Sequence, residues 1–306
     1  MPSRHLLPVL MLGLLWPMVG VSQVAERYHQ FGVMKLEMGD LHGALADLDH
    51  AIAADVSFVN AYVDRGLAKL RLLQLEDAMA DFDRAIALAP DHATAHLNRG
   101  TLHERNGDRE AALRDLDRAV ELGIPDPAVF LNRGLVKSRM RDHEGAMADY
   151  ARAIEMNPRY ARAYYLRALC HAEKGQLDGA ITDLDQAILF EPKNAAAYAD
   201  RAVAHEQKGQ LEKALADFDR AIALDPSNAR VHRNRGIALE KSGAYDKAIA
   251  DYGQAILLEP NFATAHFDRG VARYRNGDMS GGCIDIRRAE ALGSEQAALT
   301  AEAFCQ

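Results

Sequence analysis

The sequence predicts an all-α fold built as a solenoid of about eight stacked helix-turn-helix repeats with a C-terminal capping helix. Three observations carry that expectation. Pro90, Pro158, Pro192, Pro226 and Pro260 are spaced by 34 residues or a multiple of it. The same register gathers Gly32, Gly66, Gly100, Gly134, Ala168, Ala202, Gly236 and Gly270 into one small-residue column, and Ala51, Ala85, Ala119, Ala153, Ala187, Ala221, Ala255 and Ala289 into another. Between these columns, apolar or small residues recur at three- and four-residue intervals, as in Tyr62 to Leu72 and Glu76 to Ala87, which is the pattern of amphipathic helices.

Composition agrees with many small-residue helix contacts. The 306 residues are 49% hydrophobic but only 7% aromatic, and 26% are charged, a balance that suits stacked helices better than a β-sandwich or barrel. A chain of this length exceeds one compact core, so two domains or a repeat array are expected, and the 34-residue period selects the array. The formal net charge of -8 gives no electrostatic reason to expect a nucleic-acid partner.

Residues 1–22 read as targeting rather than fold. Arg4 precedes an almost wholly apolar run from Leu6 to Trp16, and Pro17, Gly20 and Ser22 follow, the layout of a secretory signal peptide with cleavage after Ser22. The run is short for a bilayer crossing, which needs roughly 20 residues. The expectation is an exported protein, periplasmic or secreted, with no membrane span after cleavage; the alternative is a membrane tether formed by an uncleaved signal anchor.

The repeats occupy 25–58, 59–92, 93–126, 127–160, 161–194, 195–228, 229–262 and 263–296. Within each, Gly39, Gly107, Gly175, Gly209, Gly243 or Gly277 marks the turn between the two helices, where a left-handed residue is expected. Leu73 and Arg141 break that column, so their turns are expected to be strained or differently built. The prolines stop the second helix because they lack an amide donor and clash with the preceding turn. The last repeat is degenerate: Gly281 and Gly282 weaken its second helix, and 294–306 supplies a capping helix over the final apolar face.

This arrangement resembles the tetratricopeptide repeat family, whose aromatic, small, alanine and proline slots recur over 34 residues. The 161–194 unit matches most clearly, with Tyr164, Ala168, Ala180, Ala187 and Pro192 in those slots. The resemblance covers about nine tenths of the chain. It implies a right-handed superhelix whose first helices line a concave face, because one helix pair cannot bury its apolar side alone.

One column departs from the family pattern. The slot before the small residue holds Arg65, Arg99, Arg133, Arg167, Arg201, Arg235 and Arg269, and sixteen residues after each stands Asp81, Asp115, Asp149, Asp183, Asp217, Asp251 or Asp285. An Arg–Asp pair bridging the two helices of each repeat is expected, bidentate where partly buried. In the first repeat Phe31 stands opposite Asp47, which leaves that pairing open.

By analogy with the family, the concave face carries the column Gln30, Asp64, Asn98, Asn132, Leu166, Asp200, Asn234 and Asp268. Asn98, Asn132 and Asn234 resemble part of an asparagine ladder that holds the backbone of an extended peptide, since an amide both donates and accepts. Helix capping and solvated polar surface are the structural alternative. The neighbouring column, Val33, Leu67, Thr101, Leu135, Leu169, Val203, Ile237 and Val271, is either an apolar groove floor or helix packing. Arg71, Arg105 and Arg139 recur near the ends of first helices, where they attract an acidic segment or simply face solvent. The candidate partner-binding residues are therefore Asn98, Asn132, Asn234, Asp64, Asp200, Asp268, Arg71, Arg105 and Arg139. The family's clamp for chaperone tails needs asparagine where this chain has the aliphatic column, so chaperone tails are not expected as ligands.

No nucleophile elbow, phosphate-binding glycine loop or H-E-x-x-H zinc motif occurs, and no cofactor is expected. His103, His171 and His205 share one column, while His96, His232 and His266 share another normally filled by an aromatic, as ring-for-ring replacement gives. Cys170, Cys283 and Cys305 show no C-x-x-C spacing, so neither a disulfide framework nor a thiolate zinc site is expected. Cys170 and Cys283 are expected on buried helix faces, and the odd count leaves at least one thiol free. The functional expectation is a non-catalytic scaffold that binds an extended protein segment in its groove. A structural or self-associating solenoid is the alternative, and a metal-dependent enzyme the distant one.

Overall fold

The computed structural model describes residues 21–305, and the signal segment expected at 1–22 therefore lies outside them except for Val21 and Ser22, which begin the first helix. The described residues form 17 α-helices. The chain divides into two compact units that meet in sequence between Pro125 and Asp126.

The first unit holds three helical hairpins: α1 (Val21–Met38) with α2 (Leu41–Ala54), α3 (Val59–Arg71) with α4 (Leu75–Leu88), and α5 (Ala93–Arg105) with α6 (Arg109–Glu121). The second unit holds five more: α7 (Pro127–Arg139) with α8 (His143–Met156), α9 (Ala161–Glu173) with α10 (Leu177–Phe190), α11 (Ala195–Gln207) with α12 (Leu211–Leu224), α13 (Ala229–Lys241) with α14 (Tyr245–Leu258), and α15 (Ala263–Arg275) with α16 (Met279–Ala291). A final helix, α17 (Glu295–Phe304), packs on α16.

The small column explains how each hairpin closes. A Cβ on Gly66 would lie 2.5 Å from the ring of Phe82, and one on Gly236 would lie 2.6 Å from the ring of Tyr252. The bulky side chain of the second helix thus rests directly on the backbone of the first, and Phe82, Tyr150, Phe218 and Tyr252 are almost wholly buried there. The alanine column, Ala51 to Ala289, is at most 1% exposed and lets neighbouring helices approach.

The two irregular turns keep the shape of the others. Leu73 and Arg141 adopt φ of 62° and 68°, the left-handed conformation that glycine takes at the remaining turns. The expected strain is therefore present, without a change of turn type. Second helices end in one of two ways. The cap residue is extended at Ala89 and Asn157, each followed by proline, and α2, which no proline follows, ends the same way at Asp55. Where proline is missing in the third and eighth repeats, α6 and α16 are one residue shorter and stop at Gly123 and Gly293 with positive φ.

The cysteine expectation is corrected in part. Cys283 and Cys305 form a disulfide across 22 residues, joining α16 to the residue after α17. The cross-link follows from α17 folding back over the last repeat, where Ala297, Ala301 and Cys305 pack with Ile286 and Ala289. Cys170 is a buried free thiol.

Candidate functional site on the first helices

Within each unit the first helices of successive repeats also touch one another, α1 with α3 and α3 with α5, then α7 with α9, α11 with α13 and α13 with α15. The second helices contact chiefly the helices before and after them. First helices therefore form the inner side of each stack. Their surface is the place where side chains of several repeats come together.

A line of polar contacts stitches this inner side at a separation of 35 residues. His29 Nε2 lies 2.7 Å from Asp64, the Tyr165 hydroxyl donates to Asp200 at 2.8 Å, and Arg233 Nε donates to Asp268 at 2.6 Å. Nearer the helix ends, Arg71 donates to the Leu36 carbonyl at 3.0 Å, and Lys241 and Arg275 pair with Glu206 and Glu240. Asp64, Asp200, Asp268 and Arg71 are thus engaged with the preceding repeat. Burial raises the Asp200 carboxyl above the usual carboxylate range, against the lowering effect of the Tyr165 hydrogen bond. Asp268 is raised in the same way, although Arg233 opposes the shift.

The remaining candidates divide. Asn98 is half-buried, and its amide nitrogen is enclosed without a hydrogen-bond partner. Asn234 is half-buried and Arg105 is exposed. Asn132 and Arg139 each have a partner in the fold. The aliphatic column beside them is neither buried nor fully open: Val33, Leu67 and Thr101 in the first unit and Leu135, Leu169, Val203, Ile237 and Val271 in the second are all partly exposed. Five aliphatic side chains in successive repeats of the second unit therefore present one strip to solvent.

The arginine column has a separate role. Each aspartate from Asp81 to Asp285 is 3–8% exposed and receives two hydrogen bonds from its arginine, as in Arg167 Nε and Nη2 to Asp183, both 2.7 Å. Several arginines also reach back sixteen residues: Arg65 to Asp49 at 2.7 Å, Arg99 to Asp83 at 2.8 Å, Arg201 to Asp185 and Arg235 to Asp219, both at 2.6 Å. One guanidinium thus fastens its own hairpin and the preceding one. The open pairing of the first repeat is resolved by Lys35, whose ammonium lies 2.6 Å from Asp47.

The histidines confirm ring replacement. The Tyr62 hydroxyl donates to the Val56 carbonyl at 3.2 Å and that of Tyr164 to Pro158 at 3.4 Å; His96, His232 and His266 place Nε2 2.9, 3.1 and 3.1 Å from the carbonyls of Pro90, Pro226 and Pro260. His96 Nδ1 also lies 2.9 Å from Asp115. Burial works against the Asp115 charge, but the hydrogen bonds from Arg99 and His96 outweigh it and hold this carboxyl below its usual range. Among the described residues no group of three or more His, Cys, Asp or Glu side chains is arranged to hold a metal ion, and no helix is long and apolar enough to cross a membrane.

Comparison with known proteins agrees with this architecture. A family model described as tetratricopeptide repeat matches residues 63–127 and 131–199, and one described as TPR repeat matches 207–243 and 241–277. No curated protein sequence matches the chain. Among solved structures, YrrB, described as a TPR protein with an unusual peptide-binding site, is 24% identical with a TM-score of 0.54, covering 64% of this chain and 97% of its own. PilF of Pseudomonas aeruginosa is 18% identical with a TM-score of 0.63, over 74% of this chain and 99% of its own. A tetratricopeptide repeat protein of Parabacteroides merdae is 20% identical with a TM-score of 0.56, over 82% and 99%. At these identities the likeness is one of fold.

Proposed function

Because the chain belongs to the tetratricopeptide repeat family, whose fold suits protein-interaction scaffolds, we propose that it is a non-catalytic scaffold holding an extended segment of another protein against its first helices. The observation that carries this reading is the partly exposed aliphatic strip from Leu135 to Val271 in the second unit. These side chains share in helix packing, as Val203 and Ile237 do, yet stay partly exposed in five successive repeats, which supplies apolar contacts for a docked chain. The amide side chain of Asn234, on a first helix of the same unit, is suited to a peptide backbone. The solved structure of YrrB, described with a peptide-binding site, supports the same class of function.

Self-association is the second reading. The C-terminal apolar face is covered by α17 and fastened by the Cys283–Cys305 bridge, which counts against repeat-on-repeat stacking at that end. The bridge also supports a working location outside the reducing cytosol, consistent with export directed by residues 1–22. Affinity capture from the exported fraction of the source organism tests the scaffold reading. A partner retained by the parent and lost by an Asn98→Ala, Asn132→Ala, Asn234→Ala variant of unchanged melting behaviour is the expected result. Recovery of the protein alone with both forms contradicts it and favours self-assembly.

A further inference from the structure

In three of the seven arginine pairs the buried aspartate receives a further cation, contributed four residues after the arginine. Lys69 Nζ lies 2.8 Å from Asp81, Lys137 Nζ 2.8 Å from Asp149, and Arg273 Nη1 2.9 Å from Asp285; Lys35 serves Asp47 in the first repeat. The imidazoles of His103 and His171 approach the same oxygens more loosely, at 3.9 and 3.7 Å. In the sixth repeat His205 fills the position but turns to Gln210. The seventh repeat has Leu239 there.

Leucine is shorter than lysine and carries no charge, and Leu239 lines an open space beside Asp251. A cleft of about 420 Å³ opens between α12, α13 and α14. Leu215, Leu239 and Ala250 form its apolar wall, and Asp219 and Asp251 supply carboxylates. Asp251 is 7% exposed and receives hydrogen bonds from Arg235 alone, both at 2.7 Å. His232 Nδ1 stands 4.0 Å away, too far to complete the set. Asp219 is exposed at the rim and shares Arg235 at 2.6 Å.

We propose that this cleft is a binding site for a primary ammonium group on an apolar stem, which takes the place that lysine ammonium groups occupy in the first, second and fourth repeats. The stem lies along Leu215 and Leu239, and the ammonium reaches the free acceptor positions of Asp251 with Asp219 beside it. This chemistry is shared by a free alkyl amine and by a lysine side chain of a docked protein. Lys247, exposed at the edge of the cleft, opposes a second cation and limits the affinity. The site uses none of the strip residues and stands independently of the groove reading.

Calorimetric titration of the full chain at low salt with 1,5-diaminopentane and, separately, with Nα-acetyl-lysine N-methylamide tests the assignment. Saturable one-site binding of either probe is expected; the diamine alone points to a free amine, and the lysine probe to a protein side chain. Leu239→Lys restores the internal ammonium, keeps the helical spectrum and weakens binding by about tenfold or more through competition for Asp251. Asp219→Asn, at an exposed site whose pair with Arg235 is screened by solvent, weakens binding several-fold, and Lys247→Ala strengthens it. Absence of saturable binding with both probes overturns the proposal. So does binding that neither Leu239→Lys nor Asp219→Asn reduces.

Discussion

Arg201 Nη1 lies 2.6 Å from Asp185 Oδ1, on the second helix of the preceding repeat, while the rest of the same guanidinium holds Asp217 on the second helix of its own repeat. The arginine therefore ties three helices with one planar group, which lysine cannot do with a single point charge. Its two contacts differ in worth. Asp217 is buried, whereas the Asp185 side chain is 51% exposed and well screened by solvent.

Removing the buried partner leaves an uncompensated charge, so Asp217→Ala and Arg201→Ala should each lower stability by about 3 kcal/mol. Asp185→Ala should cost less than about 1 kcal/mol. Urea melts of the three variants, with the Arg201→Ala, Asp217→Ala double variant to close the cycle, measure the coupling. Equal losses for Asp185→Ala and Asp217→Ala would show that burial does not set the value of the clamp.

At the left-handed turns the ranking of side chains is inverted. Leu73→Gly and Arg141→Gly relieve steric conflict at φ 62° and 68° and should stabilise the chain by about 0.5–1 kcal/mol each, after the added freedom of the unfolded glycine is subtracted. Gly107→Ala, at φ 84°, should destabilise by about 1 kcal/mol. Thermal melts give both signs, and a loss on Leu73→Gly would mean that the leucine makes a stabilising contact.

Acid should act on two aspartates in opposite directions. Asp115 has a lowered folded pKa, so the stability it contributes is fully present above its ordinary value of about 3.9 and is lost as pH falls through its folded value. Asp200 has a raised folded pKa, so the folded state holds its proton more tightly, and stability falls as pH rises from about 3.9 through the folded value. Asp200→Asn should therefore be at least as stable as the parent at neutral pH, while Asp115→Asn should be weaker there and show a flatter acid limb. Melts between pH 3 and 7 read both slopes.

The cap should be a local unit. The bridge closes a segment of 22 residues, and its removal by Cys283→Ser should release about 2–4 kcal/mol of constraint, felt mainly by α16 and α17 because a solenoid communicates through neighbouring repeats. Hydrogen exchange should accelerate across 282–304 and remain unchanged in the first unit. Uniform acceleration along the chain would contradict this locality.

What the sequence made legible was whatever repeats with the 34-residue period. The Arg–Asp pairs were readable because both partners recur at one spacing inside a single hairpin, and ring replacement at His96 and His232 was readable because one column holds both ring types. Contacts between repeats were not. The reach of Arg201 to Asp185 and the link of Tyr165 to Asp200 depend on how far one hairpin rotates against the next, although the recurrence of aspartate sixteen residues before five of the arginines was a signal for the former. The first-repeat pair escaped because Lys35 acts from the next turn in place of the missing arginine. The Cys283–Cys305 bridge required knowing that α17 folds back on α16, which lies outside any repeat pattern. On the inner face the same limit applied: residue types named Asp64, Asp200 and Asp268 as candidates, but only the packing of the first helices placed each beside a partner in the preceding repeat.

The most direct test of the account is the affinity of a peptide selected on the full chain, followed by fluorescence anisotropy, against a Val203→Ser, Ile237→Ser variant. Both side chains are only partly buried, so the fold should survive, and circular dichroism checks that it does. A loss of affinity of roughly tenfold or more, from about 1–2 kcal/mol of apolar contact removed, is the result the account predicts. Unchanged affinity in a folded variant would contradict the claim that the first-helix strip is the working surface.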